Sequence, residues 1–352
     1  MVKLKDIAVR AGVSVMTVSK ALRDRPDVSA ATKTRIKLLG QQLGYVPDSI
    51  AQGLRTRTTK LFGVAISSLS NPIFSGVVTA IEEHAAELGY EVLLAHTHNI
   101  PEREEACLRR FMSRHVDGVF VSPVYRMTRE ARVYQELLAR GIPTVILGHP
   151  APFCDQFVRV ENDDLLGSYA ATRHLLKLGH KRIAFFAGPL PTPWTQERFE
   201  GYRRAHRESN LDVDDKLVFQ AGRTIEDGAK AALQMINEHS DATAVQTVND
   251  LVAIGCAEAL LNQGLRIPQD ISVVGFGNVL MSEHFRVPLT TVRQAKLRLG
   301  TAAVDVMLQL LRRQKVEPKR LPAELIVRAS SGIPPASPPL VSLRTTNRES
   351  AE

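Results

Sequence analysis

From Leu61 onward the chain alternates between short apolar runs and longer segments of helical periodicity, and this alternation restricts the fold more than any other feature. The runs are LFGVAI (61–66), EVLLAH (91–96), GVFVSP (118–123) and PTVILGH (143–149), then RIAFFAG (182–188), DKLVFQA (215–221), AVQTVN (244–249) and ISVVGFG (271–277). Helical patterns fall at 73–88, 101–114 and 128–140 in the first series, and at about 164–178, 195–209, 225–238 and 250–263 in the second. Runs of this kind suit strands buried on both faces, and strand–helix repeats give parallel sheets covered by helices. Two series predict two α/β lobes. Ligands of such sheets sit beyond the carboxyl ends of the strands, here in the cleft between lobes.

The first 45 residues have a different texture. LKDIAVRAGVSVMTVSKAL (4–22) reads as two short helices, with Ile7, Ala8 and Ala11 on one apolar face of the first. Gly12 can take the left-handed conformation that ends a helix, Val13 fills the corner, and Ser14 is placed to cap the second helix. That helix buries Val18, Ala21 and Leu22 and leaves Met16, Thr17 and Lys20 on its other face. This is a helix-turn-helix pattern, whose second helix enters a DNA major groove. A third helix is expected over 30–43, capped by Ser29, with Ile36, Leu38, Leu39 and Leu43 facing a small core. An ordinary helical hairpin would show the same periodicity, so charge decides between the readings. The net charge is +8, and residues 1–60 hold 12 Lys/Arg against 4 Asp, while the other 292 residues hold 33 basic and 33 acidic side chains. The whole surplus lies beside the candidate motif, as a polyanionic partner requires.

LKDIAVRAGVSVMTVSKAL, VSAATKTRI and LGYVPDSIAQGLRTRTT together resemble the DNA-binding headpiece of the lactose-repressor (LacI/GalR) family of bacterial transcription regulators. Further landmarks follow in the family's order: GLRTRTTKLFGVAI, HLLKLGHKRIAFFAG, ERFEGYRRA, NDLVAIG, IPQDISVVGFGN and PLTTVRQ. The resemblance covers about residues 3–330. It implies an all-α helix-turn-helix headpiece (1–46), a hinge helix and linker (47–60), a two-lobed effector-binding and dimerisation domain (61–330) and a tail (331–352). The lobes would be flavodoxin-like, in the periplasmic-binding-protein manner. Lobe 1 would hold about 61–160 and 293–320, and lobe 2 about 161–291 and 322–330. Crossovers are expected near 161, 292 and 322, with the helix at about 295–313 returning to lobe 1. The segment Pro47–Arg55 is too short and too little apolar to stand alone as a helix. The resemblance implies that it folds on specific DNA and enters the minor groove, with Leu54 wedged between base pairs and Ala51 and Arg55 beside it. The tail GIPPASPPLVSLRTTNRESAE is Pro/Ser-rich without heptads, so it reads as disordered and favours a homodimer over a tetramer.

Candidate residues follow from place and resemblance together. In the family, the positions of Val15, Met16 and Lys20 read base edges. Lys20 can donate to a guanine, or hold only a phosphate, while Val15 and Met16 can meet a thymine methyl. Ser14, Thr17 and Ser19 are expected to hold phosphates. In the cleft, Asn71, Phe74, Asp163, Arg198, Asn249 and Asp250 each follow a strand or open a helix. Asp163 has an N-cap as its plain alternative, and of Asn249 and Asp250 one can cap while the other binds. His149 and Trp194 are further candidates, with ordinary packing as the alternative for each. Gly277 stands where sugar-binding relatives often carry an acid, and Asn278 could partly replace it. Arg198 beside that vacancy would tilt the choice toward an acidic ligand.

Other classes lack their signatures. There is no GxGxxG turn, GxxxxGK[ST] loop, GxSxG elbow or metal-spaced His/Cys set, so an enzyme is not expected, nor a cofactor or metal. Of ten histidines only His96 and His98 lie close, at a strand end. No secretory signal and no apolar span of membrane length is seen, which argues against a periplasmic binding protein. Three scattered cysteines fit a reducing cytoplasm. The expectation is a cytoplasmic repressor that binds a pseudo-palindromic operator as a dimer, under control of a small polar, carbohydrate-like effector. The alternative is a regulator of the same family controlled by a non-sugar effector or a partner protein.

Overall fold

The computed structural model describes residues 2–45, 58–189 and 191–336. It forms two compact units that divide between Thr59 and Lys60. The hinge positions Ala51, Leu54 and Arg55, and most of the Pro/Ser-rich tail, lie outside the described residues.

The smaller unit is three helices, α1 (Leu4–Ala11), α2 (Val15–Leu22) and α3 (Ala30–Leu43). Gly12 ends α1 at φ 64°, and Ser14 and Ser29 cap the next two helices through their hydroxyls. Ile7, Ala8, Ala11, Val18, Ala21, Val28 and Ile36 form the core. One expected core member is misplaced: Leu38 is 54 % exposed. From Ile36 the buried stripe runs through Leu39, Gly40 and Leu43 instead, at helical spacing that leaves Leu38 on the outer face.

The larger unit holds two six-stranded sheets. In chain order its elements are β1 (Leu61–Ile66), α4 (Pro72–Glu87), β2 (Glu91–His96), α5 (Pro101–Ser113), β3 (Gly118–Val121), α6 (Arg132–Ala139), β4 (Thr144–Leu147) and β5 (Val158–Asn162). Then come α7 (Asp164–Lys177), β6 (Ile183–Ala187), α8 (Pro193–Glu208), β7 (Val218–Gln220), α9 (Ile225–Asn237), β8 (Ala244–Thr247), α10 (Asp250–Asn262) and β9 (Ser272–Gly277). The last are α11 (Leu280–His284), β10 (Thr290–Arg293), α12 (Lys296–Leu311), β11 (Lys319–Leu321) and β12 (Glu324–Ile326).

Sheet 1 runs β11-β5-β4-β3-β1-β2 and is parallel throughout. Sheet 2 runs β12-β10-β9-β8-β6-β7, parallel except that β12 lies antiparallel on β10. Each sheet is covered on both faces. Leu108, Phe111 and Tyr134 pack on one side of sheet 1, and Ile81, Val304 and Met307 on the other. Around sheet 2 the facing groups are Ala232, Val252 and Leu260, and Leu175 and Tyr202. Burying each large apolar side chain contributes roughly 1.5–3 kcal/mol.

The chain passes between the lobes three times, after β5, between β10 and α12, and between β11 and β12. Backbone and side-chain bonds tie these passages together: Asp163 N–H donates to Leu321 O at 2.8 Å, and Ala295 N–H to Asn162 Oδ1 at 2.9 Å. In lobe 2 the helices α9 and α10 touch backbone to backbone. A Cβ on Gly255 would lie 1.8 Å from Ile225 O, and one on Gly228 2.2 Å from Val252 O. That contact sets the loops before α9 and α10 side by side at the cleft. Two sequence expectations differ in detail. Residues 215–217 form a 3-10 turn rather than the start of a strand, and β5 is a strand that the apolar pattern did not reveal. Among the described residues, no helix is long and apolar enough to cross a membrane.

Candidate functional site

The exposed face of α2 is the first site. Val15 and Met16 are 44 % and 67 % exposed, an unusual display of apolar side chains beside a charged face. Ser14 Oγ accepts from Thr17 N–H at 3.1 Å and pairs with the Thr17 hydroxyl at 2.9 Å. Ser19 is engaged by Arg23, whose Nη2 donates to its Oγ at 2.8 Å. Lys20 is bound to Asp27 in the loop that follows α2. The ammonium beside it holds the Asp27 carboxyl below its usual range. Asp27 takes up one of the three ammonium donors of Lys20 and offsets its charge on this exposed face.

The second site is a cavity of about 370 Å³ between the lobes, within the size range of small-molecule pockets. Lobe 1 contributes Ser67, Asn71, Phe74, Tyr125 and His149, and lobe 2 contributes Asp164, Trp194, Arg198, Arg223, Asn249, Asp250 and Phe276. Strand ends and helix starts supply these groups, as the parallel topology dictates.

At its centre is a buried ionic chain. Arg198, on α8, donates through Nη2 to Asp164 Oδ2 at 2.9 Å and through Nη1 to Val248 O. Its guanidinium lies 3.8 Å from the Phe276 ring centroid. The same Asp164 oxygen meets His149 Nε2 at 3.2 Å, and His149 Nδ1 meets Glu161 Oε2 at 3.0 Å. Burial opposes charge on His149, but the hydrogen bonds to Asp164 and Glu161 prevail and push its pKa up to about 10. Burial likewise works against the Asp164 carboxylate, and the Arg198 charge holds its pKa below the ordinary value nonetheless. His149 follows β4 and Asp164 opens α7, so this chain of charges joins lobe 1 to lobe 2. Arg198 Nε and Asp164 Oδ1 are buried without a hydrogen-bond partner among the described residues. Such orphaned atoms are costly unless something fills them.

Other predicted residues have mixed fates. Asn71 Oδ1 caps α4 through Ile73 N–H at 3.0 Å, and Asn249 Oδ1 caps α10 through Val252 N–H at 2.8 Å while Nδ2 holds Arg223 O. Asp250 lines the cavity, but its oxygens accept from Thr291 Oγ1 at 2.5 Å and Val279 N–H at 2.9 Å. Burial raises its pKa in spite of both. It braces α10 against the ends of β9 and β10. Phe74 and Trp194 line the cleft as apolar surfaces, Trp194 lying 5.2 Å from the Arg198 guanidinium.

Two assignments require correction. Asp163 is outside the lining: it caps α7 through Leu166 N–H at 3.0 Å and pairs with Arg320 at 3.1 Å. The residue that faces the cleft is its neighbour Asp164, one step further into the helix. Asn278 is also outside, because its Oδ1 accepts from Arg328 Nη2 at 2.8 Å and its backbone is left-handed at φ 50°. It does not replace the acid missing at Gly277. Arg198 is matched by Asp164, so the vacancy at Gly277 does not leave it in search of an anion. Asp164 and Arg223 were missed. Asp164 is the second of two adjacent aspartates, and Arg223 follows β7 as Asn249 follows β8, which is the positional signal that could have marked it. Among the described residues no cluster of His, Cys, Asp and Glu could hold a metal.

Comparison with known proteins bears on both sites. Residues 3–48 match the family described as bacterial regulatory proteins, lacI family, and residues 172–331 match the periplasmic binding protein-like domain. The HTH-type transcriptional repressor PurR of Vibrio atlanticus (strain LGP32) is 33 % identical over 314 residues, 89 % of this chain and 92 % of that protein. The Lac repressor dimer bound to operator and the anti-inducer ONPF superposes with a TM-score of 0.84 at 29 % identity, covering 94 % of this chain and 99 % of that one. The transcriptional regulator CelR in complex with cellobiose gives a TM-score of 0.70 at 29 % identity, over 94 % of this chain and all of that one. These relatives are regulators of transcription and not enzymes. With its helix-turn-helix unit and its two-lobed α/β unit, the chain belongs to the LacI family and is a DNA-binding transcriptional repressor.

Proposed function

We propose that this repressor binds a pseudo-palindromic operator as a homodimer and that a small polar effector in the interlobe cleft changes its affinity for that operator. The observation that carries the effector reading is the interlobe cavity crossed by the charged chain Glu161–His149–Asp164–Arg198, whose His149, Asp164 and Arg198 line it from both lobes. A ligand that touches His149 from lobe 1 and Asp164 or Arg198 from lobe 2 acts on both lobes at once and shifts their arrangement. In this reading residues 1–46 are the headpiece, 47–60 the hinge and 61–330 the effector and dimerisation domain. Ser14, Val15, Met16, Thr17, Ser19 and Lys20 meet the major groove, and Ala51, Leu54 and Arg55 the minor groove. Solved relatives hold a dimer on operator in one case and cellobiose in another, which supports a dimer here and a carbohydrate-like effector. The lining agrees: hydroxyls and amides from Ser67, Asn71 and Asn249 alternate with the faces of Phe74 and Trp194. Gly277 offers no carboxylate for a pair of sugar hydroxyls, which favours a sugar derivative over a plain hexose.

The experiment is an operator selected from random duplexes, followed by gel shifts with neutral and substituted sugars. A dimer yields half-sites about 10 base pairs apart, centre to centre, around a deformable pyrimidine–purine step. Selection of a single, unrepeated half-site would overturn the dimer reading. Failure of every cleft ligand to change the shift would overturn the effector reading.

A further inference from the structure

Arg223 differs from every other cation in the cleft. Its backbone is clamped: the N–H donates to Asp227 Oδ2 at 2.9 Å, and the carbonyl accepts from Asn249 Nδ2 at 3.2 Å. Its guanidinium lies over the Trp194 ring, 5.4 Å from the centroid, and Arg198 lies 5.2 Å from the same ring. It lines the cavity, yet no carboxylate among the described residues forms an ion pair with it, and its Nε is buried without a partner. Arg198, by contrast, has Asp164, and His149 has Asp164 and Glu161. Burial alone draws the Arg223 guanidinium below its ordinary pKa, with no acid to offset the cost. A charge held on a fixed backbone, half out of water and uncompensated, is stabilised by whatever anion reaches it.

We propose that Arg223 is the anion subsite of the cleft and that the effector carries a carboxylate or phosphate there, its polyhydroxylated body resting against Phe74 and Trp194. The proposal rests on the cleft being the effector site. It places recognition of the acidic group on Arg223 and leaves Arg198 to hold Asp164, which His149 reaches from lobe 1. A planar five-donor fork suits either oxyanion, and the Trp194 face beneath fixes its plane.

The test uses the full-length chain, whose single tryptophan is Trp194. Wild type, Arg223→Gln and Arg223→Lys are titrated with inorganic phosphate, with glucose, glucuronate and glucose 6-phosphate, and with ribose and ribose 5-phosphate. Trp194 fluorescence and calorimetry both report binding. In wild type, phosphate gives a saturable response, and at least one acidic sugar binds about tenfold or more tighter than its neutral parent, the size of one charge-assisted hydrogen bond. Arg223→Gln closes that gap, and Arg223→Lys, which keeps the charge without the planar fork, retains part of it, which simple packing on Trp194 would not do. The proposal is overturned if neutral parents bind as tightly as the acids, if Arg223→Gln keeps the full preference, or if no anion gives a saturable response. Failure of the cleft reading looks different: a compound would then release operator while leaving both Trp194 fluorescence and cleft variants unaffected.

Discussion

His149 gives the structure a pH signature that can be worked out in advance. With a folded pKa of about 10 against an ordinary 6.5, its charged form is bound more tightly in the native state than in the unfolded chain. The stabilisation is fully present below pH 6.5 and is lost as pH rises through 10. Each unit of difference is worth about 1.4 kcal/mol, so the whole contribution is on the order of 5 kcal/mol. His149→Gln removes it while leaving a polar side chain between Asp164 and Glu161. Urea unfolding of both proteins, followed by Trp194 fluorescence from pH 6 to 9, isolates the effect as a difference. The variant should be less stable by several kcal/mol at pH 6. The gap should then narrow by about 1.4 kcal/mol per unit between pH 6.5 and 9. Groups away from the ionic chain cancel in the comparison, while Asp164, Glu161 and Glu197 lose the His149 charge that lowers each of them. A gap that stays constant with pH would refute a charged His149 in the ionic chain, and one that widens would reverse the sign of the argument.

Three further outcomes follow. Asp27→Asn frees Lys20 and removes a carboxylate beside the exposed face of α2, so if that face meets the major groove as proposed, operator affinity at low salt should rise roughly two- to fivefold by fluorescence anisotropy; unchanged affinity would place the Lys20–Asp27 pair away from DNA. Gly255→Ala should destabilise the chain by about 1–3 kcal/mol or more in urea unfolding, because its Cβ strikes the Ile225 carbonyl rather than a side chain that can move; wild-type stability would mean that α9 and α10 are not in backbone contact. Leu54→Ala should lose most specific operator affinity and keep salt-sensitive binding to random DNA, and wild-type affinity would remove the wedge role.

What the sequence made legible was whatever depends on periodicity and caps. The α2 boundaries follow from Gly12 and Ser14, and strands such as LFGVAI and ISVVGFG declare themselves because both faces are covered. The strand Val158–Asn162 does not, since VRVEN interrupts its apolar residues with Arg159 and Glu161. Glu161 is buried among His149 at 3.0 Å, Arg159 at 3.3 Å and Arg320 at 3.7 Å, and two of these partners come from distant parts of the chain. The same limit separates Asp163 from Asp164. Both open one helix, and only the positions of His149 and Arg198 decide which carboxylate caps and which faces the cleft. Arg198 stands out by its place in ERFEGY, but its pairing with Asp164 depends on tertiary structure and leaves no mark in the sequence. Leu38 shows the reverse error, an apolar residue placed inside on chemistry alone although the helical phase turns it outward.

The central claim is that one ligand in the cleft and one operator on the headpieces alter each other's binding. The measurement that meets it most directly is a closed cycle on the full-length chain. Operator affinity is taken by anisotropy with and without the ligand, and ligand affinity by Trp194 fluorescence with and without operator. The account predicts the same factor on both sides, typically about 5- to 150-fold, in whichever direction the ligand acts. Saturation of the cleft with no change in operator affinity would contradict it.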